Sequence, residues 1–277
     1  LGASPWLLRL PAFVAGVLTV PAGCLAARRF FTPHQALAAA AALAVTPVLI
    51  EYSANGRGYT LVTLFALLLA NFAGLLAEKQ TASALIAYGL TAALGFYTIP
   101  IFLYPMAGIS LWLAASYLTD SGSRPNKIRN LTIFLLTCAL AGLLTLLLYS
   151  PVIFFGTGLA SLVSNEIVES QNWLTFWGNL LPRLTNTAVN WMTGVAPSLR
   201  VLLLVGFLLS LFFYRKVSNQ RLPIQFFLIF AALILMLIQR VVPLPRVWLF
   251  LDAFYMLFAA AGLAWLADWI LQKAFAP

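Results

Sequence analysis

From Asn130 to Phe155 the chain carries no charged residue. An apolar run of that length is the strongest constraint on what the sequence can fold into. A helix rises about 1.5 Å per residue, so crossing a hydrocarbon core of about 30 Å takes about 20 apolar residues. A bilayer accepts such a run because a helix satisfies its own backbone polar groups. The run is not isolated. Apolar stretches at 6–27, 33–51, 59–77, 82–97, 99–118, 130–154, 199–214, 222–239 and 247–270 predict about nine membrane-spanning helices. The expected fold is an all-α, polytopic transmembrane helical bundle, with residues 1–277 as a single transmembrane domain. Charged residues make up 8% of the chain. A soluble domain carries roughly a quarter, so there is too little polar surface here for a water-facing exterior.

Several boundaries carry local signals. Thr32-Pro33 fits an N-cap followed by proline at the first helical position, and Thr81 fits the cap of the next span but one. Residues 82–118 are too long for one straight crossing, and Pro100 and Pro105 mark the expected break. Pro151 falls near the end of its span, where a kink is tolerated.

The net charge is +9. The basic residues are spread in short groups between apolar spans, not gathered with aromatics on one face, so nucleic acid is not expected as a partner. With the N-terminus outside, the inner loops hold Arg28, Arg29, Lys79, Arg124, Lys127, Arg129, Arg215, Lys216, Arg221 and Lys273. The outer side holds Arg9, Arg57, Arg183, Arg200, Arg240 and Arg246. That split follows the rule that cytoplasmic loops retain Lys and Arg. Every lysine is inside. The outer cations are all arginine, whose planar fork of donors suits phosphate and carboxylate. A multi-pass location in the cell (inner) membrane is expected, with the lipid bilayer as a partner.

The long outer segment, 155–198, includes Glu166, Glu169, Trp173, Trp177, Arg183 and Trp191. Ile167 to Leu184 fits an amphipathic helix lying on the membrane, either as a structural interface element or as a cover over an external site.

Cys24 and Cys138 lie inside apolar spans and read as small buried side chains. No His/Cys/Asp/Glu spacing suggests a metal site, so no cofactor is expected, with a divalent metal left open. The sole histidine, His34, reads as a solvated loop residue. A serine or cysteine nucleophile paired with a histidine base is therefore not expected.

Three outer clusters carry the polar chemistry. The first is Glu51-Tyr52-Ser53-Ala54-Asn55-Gly56-Arg57-Gly58-Tyr59. Its glycines permit a sharp turn and close approach of a ligand, Arg57 suits a phosphate, and Glu51 suits an acid, a base or a metal ligand. A Glu51–Arg57 pair within a satisfied turn is the alternative. The second is Arg240 to Trp248, in which Arg240 and Arg246 bracket a proline-stiffened turn, with Asp252 about 9 Å deeper at helical rise. An ionisable group at that depth is costly unless paired or facing water. The third is Arg9, within Trp6-Leu7-Leu8-Arg9-Leu10-Pro11.

The run LGASPWLLRLPAFVAGVLTVPAGCLAARRFF resembles the GT-C class of membrane glycosyltransferases, in the branch related to protein O-mannosyltransferases and bacterial Rgt-type sugar transferases. TPVLIEYSANGRGYTLVTLFALLLA is similar to that family's second external turn, with Arg57 and Tyr59 at its arginine and tyrosine. The family often has a glutamate two places before the arginine, where this chain has Asn55. LPRVWLFLDAFYMLFAAAGLAWL resembles the late span in which an arginine precedes an aromatic. The resemblance implies transfer of a sugar from a polyprenyl-phosphate donor to an acceptor at the outer face. Arg9, Arg57, Tyr59, Arg240 and Arg246 would bind the substrate. The family's catalytic aspartate lies in the first external loop, which is expected upstream of Leu1. This chain is then expected to be an N-terminally truncated piece, inactive by itself, with Glu51 and Asp252 as the acids to examine otherwise. A transporter or flippase for a lipid-linked or anionic substrate is the alternative from another class, and a non-catalytic assembly subunit a third. The absence of visible internal repeats and the placement of polar clusters at span ends favour the enzyme.

Overall fold

The computed structural model describes residues 4–120, 123–156 and 170–274. Every regular element among them is a helix. In chain order these are α1 (Pro5–Phe30), α2 (Pro33–Ala44), α3 (Pro47–Ser53), α4 (Tyr59–Glu78) and α5 (Ala82–Thr98). They continue with α6 (Leu103–Thr119), α7 (Arg124–Phe155), α8 (Trp173–Trp191), α9 (Pro197–Phe212) and the single turn α10 (Tyr214–Val217). The last two are α11 (Ile224–Gln239) and α12 (Leu249–Ala274). Short 3-10 turns at Pro100–Phe102 and Pro245–Trp248 lead into α6 and α12.

Each of the nine apolar stretches contains a helix, but the lengths divide them. Five helical segments are long and apolar enough to cross a membrane, or six if α2 and α3 count as one bent span. The remaining three, α5, α9 and α11, are apolar but only 16 or 17 residues long. The expected span 33–51 is broken, with α2 and α3 meeting at 58°. Pro47 supplies the cause, since it lacks the N–H that would continue the ladder. Thr46 Oγ1 donates instead to the Ala42 carbonyl at 2.7 Å. Pro105 marks no break, since it falls in the first turn of α6, where a proline removes no helical hydrogen bond; the capping signals hold. Thr32 and Gln35 form a reciprocal capping box, and the Thr81 hydroxyl accepts from the Ala84 amide at 3.3 Å. The break expected at Pro100 is the 3-10 turn between α5 and α6. His34 is exposed as expected but sits in the first turn of α2, 3.4 Å from Asp268.

α12 runs through the centre of the bundle, packed on α9, α2 and α4. Its first four turns bury residues on every side, from Leu249 and Phe250 to Ala261 and Gly262, the pattern of a helix with no polar face. α1 packs against α4 and α2 through Ala12, Ala15, Ala22, Ala26 and Ala27. Small side chains let helix backbones approach closely where lipid supplies no hydrophobic drive. α7 is peripheral. It turns Leu135, Leu136, Leu140, Leu143, Leu146 and Leu147 outward, each more than half exposed. A contiguous leucine surface of this kind is a liability in water and ordinary against lipid. The chain is a multi-pass membrane protein.

Cross-links define the two ends of the bundle. At one end the Asn219 amide donates to the Phe30 carbonyl, the Gln220 amide group to the Arg29 carbonyl and the Arg221 guanidinium to the Thr119 carbonyl. All the lysines belong to helix ends and loops here. At the other end the turn at Gly56 lies against Leu8 and Arg9, Gly58 against Thr98 and Ile99, and Gly194 against Pro47.

Candidate functional site

The site is built at the lysine-free end, where three segments far apart in sequence converge. The turn between α3 and α4 is tight: the Arg57 amide donates to the Asn55 carbonyl at 2.6 Å. A Cβ on Gly56 would sit 3.2 Å from the Leu8 carbonyl oxygen and 3.7 Å from Arg9 Cγ. The glycine therefore lets the start of α1 close over the turn and brings Arg9 beside it. Thr60 Oγ1 donates to the Tyr52 carbonyl at 2.9 Å, tying the first turn of α4 to α3. The rings of Tyr52 and Tyr59 then meet edge to face, 6.3 Å apart.

The third segment is the turn before α12. The Arg246 guanidinium lies over the Tyr59 ring, 5.8 Å from its centroid. Tyr52 is within electrostatic reach of Arg246, Arg57 and Glu51. Arg246 is half-buried, and its Nε has no hydrogen-bond partner. No carboxylate pairs with it among the described residues. A cation held on an aromatic face with a buried donor to spare is equipped to take an anion.

Arg240 faces elsewhere. It caps α11 in the left-handed conformation, with φ 52°. Its carbonyl accepts from the Gln171 amide at 3.0 Å, and its guanidinium lies over Trp173, 5.9 Å from the ring centroid. The Arg183 guanidinium donates to the Val242 carbonyl. Together these contacts dock α8 onto the 240–246 turn. The sequence pairs Arg240 with Arg246 as one bracket, but the structure points one at α8 and the other at Tyr59. The amphipathic helix expected over Ile167 to Leu184 is α8, shifted toward the C-terminus. Residues 157–169, with Glu166, Glu169 and Ile167, lie outside the described residues.

Of the acids, Glu51 is exposed and forms no ion pair with Arg57 among the described residues. Asp252 is fully buried in α12, and neither carboxyl oxygen has a hydrogen-bond partner. The salt bridge to an arginine that would explain it structurally is not formed. Two apolar cavities, of about 210 and about 200 Å³, lie near it and reach its neighbour Leu251. Both are lined by Trp191, Ile229 and Leu251, and the second reaches Gln225, whose Oε1 is unpartnered. Among the described residues no group of three His, Cys, Asp or Glu side chains could hold a metal.

The sequence places Tyr52, Arg183 and Trp191 on the outer side but does not foretell their contacts: Tyr52 against Tyr59, Arg183 on the Val242 carbonyl and Trp191 in the wall of both cavities. The signal for α8 was present in the recurrence of Trp173, Trp177, Leu180, Leu184 and Trp191, which marks one face of a helix.

A polytopic helical bundle that gathers Arg9, Arg57, Tyr59 and Arg246 at its lysine-free end is consistent with a membrane glycosyltransferase of the GT-C type. The comparison with known families agrees: the model of dolichyl-phosphate-mannose-protein mannosyltransferase matches residues 1–155. The chain belongs to that family. The matched region includes Arg9, Glu51, Arg57 and Tyr59, while Arg240, Arg246 and Asp252 lie beyond it. No curated protein and no solved structure matches the chain.

Proposed function

We propose that the chain binds a polyprenyl-phosphate-linked sugar at the Gly56 end of the bundle, on the outer face of the cell membrane, for transfer to an acceptor hydroxyl. The observation that carries this reading is Arg246, half-buried on Tyr59 with an unpartnered Nε and no ion pair among the described residues. In the transfer, a base takes the proton of the acceptor hydroxyl, whose oxygen attacks the anomeric carbon as the bond to the carrier phosphate breaks. The departing phosphate gains charge. Arginines fixed in advance at that point stabilise it more in the transition state than in the ground state. Arg246 is the principal group in this role, with Arg57 on the adjoining turn and Arg9 on the start of α1 that closes over it. Arg240 acts on α8, as a support of the site's edge. The two apolar cavities that share Trp191 at the end of α8 suit the first isoprene units of the carrier.

The test is binding of a short polyprenyl phosphate in detergent, against the same lipid with a neutral head. A lost charged hydrogen bond is worth roughly 1.5–3 kcal/mol, so Arg246→Ala should weaken binding about ten- to hundred-fold. Arg246→Lys should recover part of it, since lysine keeps the charge but not the fork. Equal affinity for the two lipids would refute the phosphate role. Sugar transfer by residues 1–277 alone would direct attention to Glu51 and Asp252 as the base.

A flippase reading has two features in its favour, the bent α2–α3 pair and the unpartnered Asp252. Discontinuous helices and buried acids mark transport pathways. Movement of a fluorescent polyprenyl phosphate across vesicles in the absence of any acceptor would support that reading over transfer.

A further inference from the structure

We propose that the lysine end of the α9–α12 seam binds the headgroup of an anionic phospholipid, held by Lys216 and Lys273 across a ledge of Phe213, Trp265 and Trp269. The ledge is continuous. Phe213 stacks on Trp265 with ring centroids 5.5 Å apart and planes at 22°. Trp269 follows Trp265 by one helical turn on the same face of α12. A lysine stands at each extremity. Lys216 Nζ lies 5.7 Å from the Phe213 centroid, and Lys273 Nζ lies 4.7 Å from the Trp269 centroid.

The ledge is also fixed in place. α10 is anchored by the Tyr214 hydroxyl, which donates to the Leu222 carbonyl at 2.7 Å, and by buried Val217. The Asn219 amide ties the following residues to the Phe30 carbonyl at 2.7 Å. Lys216 therefore projects from a rigid turn.

Neither lysine has an acid of its own. Among the described residues, the acids at this end are engaged elsewhere: Glu78 with Arg29, Asp120 with Arg221 and Asp268 with His34. Arg215, on the same turn as Lys216, is exposed and likewise without an ion pair among them. The charge at the ledge is thus net positive and awaits an anion.

The apolar surroundings select a lipid over a free anion. Phe212 is 77% exposed, and Ile270 and Leu271 are about half exposed beside the ledge. Such side chains suit acyl chains, while tryptophan rings sit at headgroup level. A basic cluster at this depth attracts anionic headgroups. This inference needs only the membrane placement of the chain and does not depend on the sugar-transfer reading.

The experiment places the full chain in nanodiscs of mixed phosphatidylglycerol and phosphatidylcholine and counts co-purifying lipids by native mass spectrometry. Enrichment of phosphatidylglycerol is expected for the native chain. The pair Lys216→Gln and Lys273→Gln should reduce it about tenfold or more, while Lys216→Arg with Lys273→Arg should retain it. Inorganic phosphate at millimolar concentration should not compete. Melting of each variant in detergent reports whether it folds, and the arginine pair keeps the test valid if the glutamine pair does not. Equal enrichment by the native chain and a folded glutamine pair would overturn the proposal. Competition by inorganic phosphate would overturn the assignment to a lipid.

Discussion

The seam between α9 and α12 invites a quantitative test, because both helices approach through glycine. A Cβ built on Gly262 would lie 2.9 Å from the Gly206 carbonyl carbon and 3.1 Å from the Ser210 nitrogen, and would overlap the Gly206 carbonyl oxygen. Ordinary contact for a methyl group begins near 3.4 Å. All three obstructing atoms are backbone, so no rotamer change relieves the clash. Clearing the carbonyl carbon alone takes about 0.5 Å, 3.4 less 2.9, and the overlapping oxygen demands more, so Gly262→Ala must push the helices apart by well over that. Overpacking of this kind costs roughly 1–3 kcal/mol. Alanine recovers up to about 1 kcal/mol through its better helix propensity. Because the obstructing atoms are backbone, the upper end of the overpacking range applies, about 3 kcal/mol, and the net loss of about 2–3 kcal/mol, at about 2–4 °C per kcal/mol, lowers Tm by about 4–12 °C. Gly142→Ala is the control. It lies in α7 with nothing within 4 Å of the added carbon, so only the propensity gain remains and Tm should hold or rise. Tryptophan fluorescence or size-exclusion recovery after heating in detergent reads both. If Gly262→Ala melts with Gly142→Ala, the close seam is not what holds α9 on α12, and the reasoning fails.

Three further expectations follow from other parts of the bundle. Asp252→Asn should melt at or above the native temperature, because the buried carboxyl has no hydrogen-bond partner to lose; a fall of more than a few degrees would reveal a partner and remove the case for a functional acid. Arg183→Ala severs the bond to the Val242 carbonyl, so hydrogen exchange in α8 should rise at least several-fold while α12 stays protected; unchanged exchange would show that α8 is docked by other means. A cysteine at Ser123 should be labelled only from the inner side of sealed vesicles, and labelling from outside would reverse the orientation drawn from the lysines.

The membrane class and every apolar segment were legible because both depend on local composition. So were the caps at Thr32 and Thr81, since a cap is decided within four residues. The bend at Pro47 was not foreseen, although its proline was in plain view. An unbroken apolar run hides a break whose polar groups are repaired by a neighbouring threonine. The candidate site was legible only one segment at a time. Arg57, Tyr59 and Arg246 were each recognisable, yet the contact between Tyr59 and Arg246 spans most of the chain and has no local signature. Arg240 shows the reverse failure: proximity in sequence suggested a partner for Arg246, and one left-handed residue turned it toward Trp173. Asp252 was expected to be either paired or functional, and the lack of any partner leaves the functional alternative standing.

The three short helices have a consequence for the bilayer itself. At about 1.5 Å per residue, the 16 residues of α9 and of α11 reach about 24 Å, some 6 Å less than a hydrocarbon core of about 30 Å. A bilayer meets a short helix by thinning around it, at a cost of fractions of a kcal/mol per ångström. α11 lines both apolar cavities and α9 the second, through Phe207, so on the proposed reading the thinned region would fall beside the cavities offered to the carrier. There the headgroup layer dips toward the middle of the membrane, and a long-chain phosphate would meet the protein already part of the way down. The membrane's thickness thus becomes a variable of the protein's chemistry. Thin bilayers should favour loading of the carrier and thick ones should resist it, with no side chain changed.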